Sequence, residues 1–144
     1  MKPRNLNRRA TTVFFRILEY LKETDHVKID NSNNTFMPVI AERLYTGDVM
    51  HRSGTVYSLS HYYEQNGDLI PDPDMTFFVC DQSRKIYPVT YQDSFVYNEG
   101  IYSEGEKWYI KRVQHHITTF ANHWMNNIFY QQLNKPGSHQ KQAA

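Results

Sequence analysis

An α+β fold, built as an antiparallel meander of about five strands flanked by an N-terminal and a C-terminal amphipathic helix, is predicted by three features of this 144-residue chain. Apolar residues recur at helical spacing near both ends. They recur at a period of two through the middle, where clusters of Asn, Asp, Ser and Gly separate the runs. Strands bracketed by helices, rather than alternating with them, favour an antiparallel sheet with one face covered.

The first element is a helix from residue 7 to about residue 24, because Ala10, Val13, Phe14, Ile17, Leu18 and Leu21 fall on one face. Asn7 is placed to cap it, since its side chain can accept from a first-turn N–H. Arg8 and Arg9 follow at once. The helix dipole is positive there, so two guanidinium groups are unfavourable unless they meet something anionic.

Alternating or β-branched runs then predict strands around Val27 and Ile29 and over residues 36–45, 56–65, 75–80, 86–91 and 95–102. Turns are expected at residues 30–34, 46–48, 52–54, 81–83 and 98–100. Helical spacing returns over residues 108–133 through Val113, Ile117, Phe120, Trp124 and Ile128. Residues 1–133 read as one domain and 134–144 as a disordered polar tail, entered through Asn134-Lys135-Pro136-Gly137. No internal repeat is present.

Composition narrows the function classes. The net charge of +1 supplies no global field for nucleic acid or membrane, and 15% aromatic residues, with eleven Tyr, leave rings for a contact surface. The charge is unevenly spread: Lys2, Arg4, Arg8, Arg9 and Arg16 precede the first acid, Glu19, while Glu64, Asp68, Asp72, Asp74 and Asp81 follow one another without an intervening Lys or Arg. The lone Cys80 excludes an internal disulfide and sits in an apolar run that suits packing. No uninterrupted signal-peptide core and no membrane-length apolar run occur, so a cytoplasmic setting without membrane contact is expected.

The segment from His61 to Asp74 concentrates the chemistry. Asn66-Gly67 between two strand-like runs signals a type I′ hairpin, pairing Gln65 with Asp68, Glu64 with Leu69, Tyr63 with Ile70, Tyr62 with Pro71 and His61 with Asp72. On that register Leu59, His61, Tyr63, Gln65, Asp68, Ile70 and Asp72 share one side. A His61–Asp72 pair would hold an imidazolium, either as a register-fixing ion pair or as a general acid–base dyad. Pro71 and Pro73 confine the return strand to an edge or a bulge.

Glu64, Asp68, Asp72 and Asp74 are hard oxygen donors suited to Mg²⁺ or Ca²⁺, which would serve a hydrolase or nuclease. Their spacing completes neither a calcium loop nor a nuclease motif, and no metal ligand set or cofactor motif is assigned. His115, His116 and His123 lack the helical zinc spacing and are expected beside the core. Exposed Tyr residues with Arg4, Arg8, Arg9, Lys107, Lys111 and Arg112 form a possible nucleic-acid surface, opposed by the acidic hairpin.

The run from Tyr57 through His61, Tyr62, Tyr63, Gln65, Asn66, Gly67, Asp68 and Leu69, with Asp72-Pro73-Asp74-Met75-Thr76-Phe77, resembles the signature of an uncharacterised bacterial domain family. Tyr87-Pro88 and Tyr91-Gln92-Asp93 extend the resemblance, within residues 56–97. It implies an accessory protein of plasmids, phages or integrative elements and carries no catalytic residue. The leading expectation is a non-enzymatic protein that binds another protein through His61, Tyr63, Glu64, Asp68, Asp72 and Asp74. The alternatives are nucleic-acid binding through the basic residues and a metal-dependent hydrolase at the carboxylates.

Overall fold

The computed structural model describes residues 1–134. Residues 135–144, and with them nearly all of the expected tail, lie outside the described residues. The elements run α1 (Arg8–Leu18), β1 (His26–Ile29), β2 (Val39–Val49), β3 (Arg52–Gln65), β4 (Asp68–Cys80), β5 (Ile86–Gln92), β6 (Tyr97–Glu99), β7 (Ile101–Glu104), β8 (Lys107–Ile110) and α2 (Val113–Ile128), which ends in a π-helical turn, Phe129–Leu133. Strands β1 to β6 form one antiparallel meander in chain order, and β7–β8 form a separate hairpin. The α+β class, the meander and the two terminal helices are as the periodicities predict, with six strands in the main sheet.

Asn7 caps α1, its side chain accepting from the Ala10 N–H at 2.9 Å. The helix stops at Leu18, short of residue 24; 3₁₀-type bonds from the Tyr20, Leu21 and Thr24 N–H groups tighten the exit, and Lys22 takes positive φ.

Both helices lie on one face of the sheet. Their apolar stripes, including Val13, Phe14, Ile17, Ile117, Ala121, Trp124 and Met125, bury against Val27, Ala41, Leu59, Met75, Phe77 and Ile86. The opposite face carries a smaller cluster of Val49, Val56, Phe78, Cys80, Tyr87 and Ile101, roofed by Trp108 and Ile110. Phe77 and Val79 therefore serve one core and Phe78 and Cys80 the other, which explains an unbroken apolar run in a strand.

Three boundaries depart from the sequence reading. Residues 46–48 and 52–54 are paired strand, Gly47 opposite Gly54, and the chain reverses at Met50 and His51, both at positive φ. A turn built from non-glycine residues there gives no sequence signal. Residues 95–102 divide at Gly100, whose backbone lies so close to α2 that a Cβ would stand 2.9 Å from Gln114 Cα. Trp108 belongs to β8, turned into the strand through Gly105 at positive φ, so the second helix begins at Val113.

Candidate functional site

The Asn66-Gly67 turn is formed with φ of 54° and 85°, and Gln65–Asp68, Glu64–Leu69, Tyr63–Ile70 and Tyr62–Pro71 pair as predicted. The register then slips, because Ser60 pairs with Asp74 and leaves Asp72 and Pro73 together opposite His61. The Asp72–Pro73 peptide at this bulge is cis. The expected His61–Asp72 cross-strand pair is replaced by a different arrangement. His61 is buried, its Nδ1 2.9 Å from the Pro38 carbonyl oxygen and its ring edge-on to Trp124 at 5.4 Å. Burial holds its pKa below the ordinary value, only partly offset by the Pro38 bond and the charge of Asp72. His61 is thus a neutral core ring and not half of an exposed dyad.

The hairpin carboxylates splay. Paired residues share a face, so Asp68, beside Gln65, and Glu64, beside Leu69, point to opposite sides, and Asp72 is exposed at the bulge. Among the described residues no three His, Cys, Asp or Glu side chains stand close enough to hold an ion. Tyr63 is half-buried opposite Ile70. His116 and His123 face solvent rather than flanking the core, and the His115 ring reaches the Lys2 carbonyl oxygen at 2.9 Å.

Asp74 alone of the predicted acids enters a concave site. It lines a groove of about 690 Å³ between the open sheet face and the β7–β8 hairpin, with Glu99, Glu104, Tyr45, Tyr97 and Trp108 among the walls and, among the described residues, no Lys, Arg or His in the lining. The floor is a polar ladder in which Thr76 and Thr90 share a 2.6 Å hydrogen bond. Asp74 accepts from the Tyr62 hydroxyl at 2.8 Å. Partial burial raises the Asp74 pKa against the opposing pull of that bond, and desolvation with the nearby carboxylate pushes Tyr62 up to about 12. A bulge between Arg43 and Tyr45 in β2 brings both Leu44 and Tyr45 to the groove, largely exposed.

Glu99, Glu104, Tyr45, Tyr97 and Trp108 were outside the sequence-predicted set because they lie far along the chain from Asp74, Tyr45 in β2 and the other four within residues 97–108. Only strand order and register bring them to one concavity. Beyond the groove, Asp93 pins the loop after β5. It accepts from the Tyr91 hydroxyl at 2.7 Å and from the Phe95 and Val96 N–H groups, bonds that lower its pKa and leave the Phe95 ring 92% exposed.

The basic residues divide into two groups. Arg8 and Arg9 stand beside the end of α2, where Arg9 Nε donates to Asn126 Oδ1 at 2.7 Å. Lys111 and Arg112 precede the start of α2, with Arg4 tied nearby through its backbone to Gln114, and Lys111 Nζ lies 5.1 Å from the Tyr102 ring centre. The 14 residues from Arg112 to Asn126 separate the groups by roughly 20 Å along the helix.

No helix among the described residues is long and apolar enough to cross a membrane. Comparison with curated proteins and with solved structures returns no match. A family model described as "Domain of unknown function (DUF6908)" matches residues 11–134, spanning both helices and the whole sheet. With most of its length matched to that model, the chain belongs to the DUF6908 family.

Proposed function

We propose that this chain is a non-catalytic binding module whose acidic, aromatic groove takes a basic segment of a partner protein. The observation that carries the reading is the wall composition: Asp74, Glu99 and Glu104 with Tyr45, Tyr97 and Trp108, and no cation in the lining among the described residues. Carboxylates at the mouth of a concavity steer a cationic partner and speed its encounter. Aromatic rings add apolar contact area and faces attractive to Lys or Arg. A phosphate backbone is repelled from the same surface. Glu64, on the groove side of the β3–β4 ribbon, extends the acidic surface from the groove toward the hairpin tip, while Asp72 at the bulge acts on His61 and Tyr91 of the helix-covered side.

A cytoplasmic setting, with residues 1–133 acting as one unit, is part of this proposal, as is an accessory role on a bacterial plasmid, phage or integrative element, which rests on the signature resemblance. Host proteins that handle nucleic acid carry basic surfaces of the kind this groove would accept.

The test uses the full chain and two unstructured synthetic peptides, one alternating Lys with Leu and one alternating Glu with Leu. Amide shifts are followed by NMR, together with the fluorescence of Trp108 in a Trp124→Phe background. The Lys peptide is expected to move the amides of Thr76, Thr90 and Glu99 and to associate at least ~10-fold more slowly with the Asp74→Asn, Glu99→Gln, Glu104→Gln variant at low salt. Equal binding of both peptides, or shifts confined to another surface, would overturn the reading.

A further inference from the structure

The helix layer presents the opposite charge. Residues Arg8, Arg9, Thr12, Val13, Arg16 and Phe129 enclose a pocket of about 290 Å³ at the α1–α2 junction, and the first turn of α1 holds no acid. Arg9 is fixed in place. Its guanidinium lies 5.1 Å from the Phe129 ring centre and 5.9 Å from that of Tyr130, while Nε is taken by Asn126. Arg16 lies 5.6 Å from the Phe129 centre and donates from Nη2 to the Leu133 carbonyl oxygen at 2.9 Å. Among the described residues no carboxylate pairs with Arg8 or Arg9.

The fold thus surrounds Arg9 with an amide and two rings, which orient the guanidinium and leave its charge unneutralised. Placing that charge at the positive end of a helix works against stability, and such a local conflict without a compensating acid marks a functional position. Beside it the Tyr130 ring is 60% exposed, edge-on to Phe129 at 5.3 Å. An oriented guanidinium next to an open aromatic face matches the two chemical units of a nucleotide, phosphate and base.

We infer that this corner binds single-stranded nucleic acid, Arg8 and Arg9 holding a backbone phosphate and Tyr130 stacking a base. An anionic membrane is the weaker fit, because the apolar face of α1 (Ala10, Val13, Phe14, Ile17) is buried in the core and has nothing left to insert. The site is on the helix layer and is independent of the groove.

The experiment is fluorescence anisotropy of a labelled single-stranded oligothymidine of about 20 nucleotides with the full chain, between about 50 and 200 mM salt. Binding is expected at low salt and is expected to weaken as salt rises. Arg8→Gln with Arg9→Gln should lower affinity at least ~10-fold and flatten the salt slope by about 1.4, two cations at about 0.7 each. Tyr130→Ala should weaken binding by about 10-fold with the slope unchanged. The exposed Arg8→Gln variant alone, with melting curves for each protein, separates lost contact from lost fold. No binding at about 50 mM salt would overturn the inference, as would indifference to Tyr130→Ala or equal affinity for anionic phospholipid vesicles.

Discussion

At the scale of single residues, His61 shows how one slipped pair changes chemistry. An imidazole facing a carboxylate would have its pKa raised. The bulge in β4 instead takes Asp72 out of that pairing, and His61, on the same side as Leu59, packs against Trp124 and the Pro38 carbonyl, where burial lowers it. The pH dependence follows from that sign. Folded His61 resists protonation, so as pH falls below the ordinary value of about 6.5 the unfolded chain binds the proton first and stability drops, levelling off below the folded-state pKa. Urea midpoints between about pH 7.5 and pH 5 are expected to fall for the wild type and to fall less for His61→Phe, which keeps a ring against Trp124. A midpoint that rises on acidification would contradict the burial account. The sequence supplied the imidazole; the environment chose its protonation state.

At the scale of elements, the β3–β4 ribbon was the most legible part of the chain. Asn-Gly fixes the reversal because both residues adopt positive φ, and four pairs beyond it follow by counting. The count fails at Asp72-Pro73, since no local rule says whether a proline-bearing strand bulges or becomes an edge. Gly67→Ala introduces a Cβ at a φ of 85°, and about 1 kcal/mol of destabilisation is expected from urea melts. Amide exchange should quicken over residues 64–69, while Phe77 to Val79, buried in both clusters, keep their protection. The Met50-His51 turn, by contrast, was invisible in the sequence. Its conformation is imposed by the pairing of β2 with β3 and not by residue preference.

At the scale of the whole molecule, two fully buried glutamines tie the helix layer to distant parts of the chain. Gln114 accepts from the Arg4 N–H and donates to the Arg4 and Pro88 carbonyl oxygens, and Gln132 joins Asn31 to Met37 in the same manner. Gln114→Ala leaves those backbone groups without partners, and a loss of about 2 kcal/mol is expected by urea or thermal melting; Gln114→Glu keeps the acceptor and loses the donors. The helices run side by side in the same direction, Asn7 meeting Asn122, Arg9 meeting Asn126 and Arg16 meeting Leu133. This places the Arg8 and Arg9 charge on one side of the sheet and the Asp74, Glu99 and Glu104 charge on the other, converting a polarity along the chain into one across the molecule.

The sequence by itself determined the fold class, the meander, the two terminal helices and the hairpin turn, because periodicity, capping and turn chemistry act over a few residues. The tertiary structure alone decided which acids share a groove and what His61 meets on its side of the sheet. It also decided that Arg9 meets two aromatic rings and the Asn126 amide. Those outcomes depend on register across strands and on packing between segments roughly a hundred residues apart in sequence, distances at which no local preference operates.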